Sequence, residues 1–210
     1  MPAHLRRAAA ACALSLAAAT AAAASPAAAA VADRPDVSTP AMALPPIGAE
    51  IPSAVLAIGG KLEYRGMTYT LDIRGGIKQR VDVNPYDPIN SVRLRSIGFR
   101  ASAEDHALGE VTIEQNDVDV DARSTLRLTQ AHPLRYEEID YLSFTVVLDR
   151  ADQPAVILET REPVALKATL SSFPAMGETY SLERPVVLVD PETGSATARL
   201  TVFNAKRSGL

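Results

Sequence analysis

The chain has 210 residues, a formal net charge of −4, one cysteine, 15 prolines and no tryptophan. No dense Lys/Arg cluster occurs, so the basic stripe that displaces counterions from nucleic acid is missing, and the acidic sign disfavours an anionic membrane surface. A lone cysteine rules out an internal disulfide framework, leaving stability to an ordinary core.

Residues 1–32 read as an export signal. Arg6 and Arg7 lead into the weakly apolar tract Ala8 to Ala24, and Ala30-Val31-Ala32 places small residues where a signal peptidase reads them. Cleavage is expected after Ala32. The tract has only Leu14, Leu16 and Cys12 as larger apolar groups, a poor match to a bilayer span of ~20 strongly apolar residues. Cys12 sits inside the tract instead of closing it, which does not fit a lipid-modified terminus. The residues around Arg6-Arg7 favour neither the general nor the twin-arginine route. Processing would remove the only thiol and leave 19 basic and 25 acidic residues, a net charge of −6. The expected location is secreted or extracellular, without a stable membrane span.

Residues 33–52 carry Pro35, Pro40, Pro45, Pro46 and Pro52 and are expected to form an extended, disordered arm. From residue 53 to 210 the dominant period is two, as expected for one all-β domain. The clearest run is Met67-Thr68-Tyr69-Thr70-Leu71-Asp72-Ile73-Arg74, where Met67, Tyr69, Leu71 and Ile73 point one way. Arg65-Gly66 suits a two-residue hairpin turn, which sets Tyr64 opposite Met67 and Leu62 opposite Tyr69. Further strands are expected at 77–83, 92–101, 111–114, 125–130, 142–149, 156–159, 164–170, 186–189 and 196–203. In the second of these the apolar phase shifts from Val92 and Leu94 to Ile97 and Phe99, which predicts a β-bulge near Ser96. Arg135 to Tyr141 is read as a turn of helix, Pro191 to Ser195 as the loop of the last hairpin, and the pairs Gly59-Gly60 and Gly75-Gly76 as punctuation between strands. Roughly ten short antiparallel strands make a β-sandwich or β-barrel.

Candidate chemistry is sparse. Asp117, Asp119 and Asp121 present carboxylates at alternate positions, a pattern that suits calcium. The helix-loop-helix calcium motif fails, because Ala122 stands where glycine is needed and Leu128 where glutamate is needed. In a strand, neighbours in this set lie about 7 Å apart, too far to share one ion without a bend. A solvated face outweighs the calcium site, and no other cofactor is expected. His106 and His132 lack zinc-ligand spacing and read as loop residues. Glu137, Glu138 and Asp140, between Tyr136 and Tyr141, have the composition of a paired-carboxylate glycosidase site, but without tryptophan they read as a solvated acidic bend. Arg93 and Arg95 read as cover for a sheet face, paired with acids on a neighbouring strand. No catalytic residue is assigned. The expected function is an exported, non-catalytic β domain that binds an unidentified protein or small molecule and no nucleic acid. The alternative is a barrel enzyme or hydrophobic-ligand carrier with its site in the barrel mouth.

Overall fold

The computed structural model describes residues 44–116, 118, 120 and 123–209, so residues 1–32, expected to be an export signal, most of the expected arm, and Asp117, Asp119 and Asp121 lie outside the described residues. Three long strands form its spine: β1 (Glu50–Tyr64), β2 (Met67–Val83) and β3 (Ser91–Asp105). Ten shorter strands follow: β4 (Gly109–Gln115), β5 (Thr125–Ala131), β6 (Leu134–Leu142), β7 (Phe144–Asp149), β8 (Val156–Thr160), β9 (Val164–Leu170), β10 (Met176–Leu182), β11 (Val186–Val189), β12 (Ala196–Val202) and β13 (Ala205–Gly209). All pairings are antiparallel, in the order β12-β11-β8-β7-β4-β3-β2-β1-β13-β10-β9-β6-β5, with β12 also bonded to β1 and β5 to β3.

Those two extra pairings close the sheet twice. One circuit runs β3-β2-β1-β13-β10-β9-β6-β5, the other β3-β2-β1-β12-β11-β8-β7-β4, and β1, β2 and β3 belong to both. The cyclic order is the same in each. The fold is therefore a long eight-staved barrel in which three staves run unbroken and five are interrupted at a waist. Four of those interruptions fall at Ser143, at 161–163, at 183–185 and at 203–204. Strand β1 bonds β13 through Ser53–Ala57 and β12 through Lys61–Tyr64, while β3 bonds β5 through Ser91–Arg93 and β4 through Arg100–Asp105. Between the sandwich and the barrel, closure selects the barrel.

The unbroken staves give way at the same level. In β1, Ala57 faces Ile73 and Gly60 faces Leu71, so Ile58 and Gly59 form a bulge. Gly59 takes a positive φ of 69°, and its amide donates to the Asp72 carboxylate at 2.9 Å. In β2, a Cβ on Gly75 would stand 2.1 Å from the Arg100 carbonyl oxygen, so only glycine permits this approach of β2 to β3. In β3, Lys78 faces Gly98 and Gln79 faces Ser96, which leaves Ile97 as the extra residue. The bulge predicted near Ser96 is present. Each bulge inverts the inward phase: β1 buries Ser53, Val55 and Ala57 before it and Leu62 and Tyr64 after it, and β3 buries Leu94 and Ser96 before it and Phe99 and Ala101 after it. The two glycine pairs are thus not punctuation between strands; they lie inside β1 and β2, where the wall bends.

Other expectations meet mixed outcomes. The Arg65-Gly66 hairpin has the expected register, both turn residues have positive φ, and Leu62, Tyr64 and Tyr69 are buried, although Met67 is exposed at the rim. Strand β9 and strand β11 match their expected limits. The segment expected at 142–149 is split, because Leu142 ends β6 and β7 begins at Phe144. Arg135 to Tyr141 is not helical but lies within β6. The turn at 191–195 does join β11 to β12, yet β13 follows it. Strand β1 begins at Glu50, inside the stretch assigned to the arm.

Candidate functional site

The two barrel halves have different interiors. The half built with β4, β7, β8, β11 and β12 is filled by apolar side chains, among them Leu71, Ile113, Val146, Leu158, Leu188 and Leu200, with Phe99 and Phe144 tilted at 58° and 6.4 Å apart. Among the described residues it buries no charged side chain, and its buried polar groups, the Gln115 side-chain carbonyl of β4 and Ser143 against Thr160 of β8, lie at the strand ends by the waist. The half built with β5, β6, β9, β10 and β13 also has an apolar lining, but at its centre Gln79, Glu138, Asp140, Tyr180 and Arg207 converge.

Strand alternation explains how they meet. On β6 the inward residues are Tyr136, Glu138, Asp140 and Leu142, so the two acids sit between apolar neighbours on one face. Gln79 of β2 donates to Glu138 at 3.2 Å and to Asp140 at 2.9 Å; Tyr180 of β10 meets Glu138 at 2.6 Å. Arg207 of β13 donates to Glu138 at 3.2 Å, makes a shorter bond to Asp140, and lays its guanidinium over the Tyr180 ring at 4.0 Å. Glu138 and Asp140 are 0% exposed and Arg207 is 2% exposed. The Arg207 Nε is buried without a partner among the described residues.

Two carboxylates against one guanidinium leave one negative charge too many for such an interior. Burial, with the Asp140 carboxylate beside it, pushes the Glu138 carboxyl up to about 8 despite the opposing pull of Arg207, Tyr180 and Gln79. Glu138 therefore holds a proton at neutral pH, and the cluster as a whole is neutral. Burial and the neighbouring Glu138 raise the Tyr180 phenol as well. Burial works against the charge on Arg207, but Asp140 and Glu138 outweigh it and hold the guanidinium protonated. The expectation of a solvated acidic bend is overturned here: Glu138 and Asp140 are core residues, and of the three acids only Glu137 faces outward, paired with Lys167 at 2.6 Å. The arrangement can store a proton and tie four strands together. Both of its carboxyls are closed off from solvent.

An accessible site lies at the waist. Strand β8 leads through 161–163 into β9, and β10 leads through 183–185 into β11, beside it and antiparallel. The two ladders hold on either side, with Arg161 N donating to Val187 O at 3.0 Å and Glu183 N donating to Ala165 O at 3.1 Å. Between these bonds stand Pro163 and Pro185, which have no N–H to donate, and the wall parts there. The resulting cleft has a volume of about 180 Å³, a floor of Pro163, Val164, Pro185 and Val186, and Arg161, Glu162 and Arg184 at its rim. It continues on one side to Arg123 and Tyr141, whose guanidinium and ring stack at 4.2 Å, and on the other past Arg161 to Arg199 and the Arg65-Gly66 hairpin.

Arg161, Pro163, Arg184 and Pro185, the residues that shape the centre of the cleft, are not among those singled out from the sequence. The signal was nonetheless present as a short echo: Arg161-Glu162-Pro163-Val164-Ala165-Leu166 and Glu183-Arg184-Pro185-Val186-Val187-Leu188 share a Pro-Val-x-Leu core preceded by one acid and one arginine in opposite order. Of the residues that were singled out, His106 and His132 occupy exposed turns after β3 and β5, and no metal-holding cluster occurs among the described residues. Arg95 pairs with Asp82 of β2 at 3.4 Å, as expected of an arginine covering a sheet face, and Arg93 lies over the Tyr86 ring at 5.6 Å. The calcium candidates Asp117, Asp119 and Asp121 lie outside the described residues.

Fold and site together define a double-closed antiparallel barrel with a lateral cleft. No family model and no curated protein matches the chain. Among solved structures, DynF from the dynemicin biosynthesis pathway of Micromonospora chersina is similar at a TM-score of 0.61 and 17% identity, over 79% of this chain and 82% of that one. At that identity the likeness is one of fold.

Proposed function

We propose that the protein is an exported binding module that holds a small ligand in the waist cleft and performs no chemistry on it. The observation that carries this reading is the parting of the wall at Pro163 and Pro185, which opens an apolar floor to solvent while the polar cluster stays sealed. Two prolines at facing positions of adjacent staves leave fewer ladder bonds to compete with a ligand, and the flanking bonds at Arg161 and Glu183 keep the opening in shape. Export is supported by the Arg6 to Ala32 pattern.

Native mass spectrometry of the protein recovered from its host's medium tests both parts. The mature chain should begin at Asp33 and carry a non-covalent ligand. Ala165→Phe, which fills the cleft from a half-exposed position, should keep the wild-type circular dichroism and lose that ligand. A ligand retained by this variant would move the site to a barrel mouth, and an unprocessed N-terminus would contradict export.

A further inference from the structure

We infer that the waist cleft selects a small amphiphilic anion, best a carboxylate with a short apolar body. This inference rests on the cleft being the binding site and assigns the chemistry of what it takes.

The first observation is the balance of charge at the rim. The cleft and its extensions present Arg65, Arg123, Arg161, Arg184 and Arg199 against Glu63, Glu162 and Glu183, a positive excess on a protein that is acidic overall. Of these acids, Glu162 is already answered: it pairs with Arg184 at 2.5 Å, which leaves Arg161 as the unpaired cation of the central cleft. Among the described residues, Arg161 and Arg199 have no carboxylate at ion-pair distance; the single polar contact of the Arg161 side chain is a long one, 3.4 Å to the Gly194 carbonyl. Arg161 lines both the central cleft and its extension toward the hairpin, so an anion entering from the hairpin side meets it before it reaches the centre. Concave sites with one excess sign concentrate the opposite charge.

The second observation is the floor. Pro163, Val164, Pro185 and Val186 offer no side-chain donor or acceptor, so the buried part of the ligand is apolar and the charged end lies at the rim. A space of about 180 Å³ takes roughly eight to ten non-hydrogen atoms. A planar guanidinium presents two parallel N–H donors, which match the two oxygens of a carboxylate. A cationic ligand of the same shape would meet the unpaired Arg161 head on.

Hexanoate, 1-hexanol and hexylamine separate the terms, since they share a six-carbon body and differ in charge. In amide-correlation NMR of the mature protein, hexanoate should shift Arg161, Val164, Ala165, Arg184 and Val187 with a Kd on the order of 1 mM. Hexanol should act at the same amides at least ~10-fold more weakly, and hexylamine should have no effect there. Arg161→Gln, at an exposed position, should weaken hexanoate about tenfold and leave hexanol unchanged. Equal affinity for hexanoate and hexanol, or an unaffected Arg161→Gln, overturns the anion assignment while leaving the cleft as a site. Shifts located elsewhere, or none from any probe, overturn the cleft itself.

Discussion

The two halves of this barrel share three strands and one cyclic order, yet they solve the problem of filling an eight-staved interior in opposite ways. The apolar half uses branched and aromatic side chains whose removal leaves holes. The polar half adds Arg207, Glu138, Asp140, Gln79 and Tyr180, whose partial removal leaves charges. A cavity costs its lost contacts, whereas an orphaned buried charge costs its desolvation, so the same number of deleted atoms should hurt the polar half more.

Arg207→Met should therefore show the largest effect, a loss of ~3–5 kcal/mol in urea denaturation, because it strands Asp140 beside Glu138 without a cation. Leu188→Ala in the apolar half should cost about 2–4 kcal/mol, in the range of cavity formation. If the leucine variant proves the worse of the two, the polar cluster is less coupled than its geometry implies. Tyr180→Phe removes one bond to Glu138 and should cost ~1–2 kcal/mol.

Acidity divides the halves more finely. The Glu138 carboxyl, raised from 4.5 to about 8, binds its proton more tightly in the folded chain than in the unfolded one. Its contribution to stability is thus complete below pH 4.5 and lost as pH rises through about 8, at roughly 1 kcal/mol per pH unit in between. Glu138→Gln should remove that slope from the pH dependence of the denaturation free energy while keeping a partner for Tyr180. A slope that survives in the variant would place the proton elsewhere. The smallest effect expected is that of calcium: at millimolar concentration it should leave the Tm unmoved, and a rise would favour the calcium reading of Asp117, Asp119 and Asp121.

What could be read from the sequence was what local rules decide. The hairpin at Arg65-Gly66 and the bulge at Ile97 follow from alternation and turn chemistry within a few residues. Strand β6 was hidden because Glu138 and Asp140 interrupt its apolar alternation. They are tolerated inside only because Gln79 and Arg207 reach them from 59 and 67 or more residues away along the chain. Strand β13, with Lys206 and Arg207 in its five residues, was hidden for the same reason. The glycine pairs misled in the other direction. Strands of 15 and 17 residues are uncommon, so a Gly-Gly pair within one reads as an end instead of a bend. The cleft escaped because a proline in a short strand pattern signals only a boundary, and two such boundaries become an opening only when the staves are laid side by side.

The two interiors meet at the waist, where the wall opens. The most direct test is a crystal structure of the protein purified from its host without added ligand. Density for a retained ligand between Pro163 and Pro185, its charged end at Arg161, is the predicted result. Density inside the polar half against Glu138 and Arg207, or in a barrel mouth, would contradict the account.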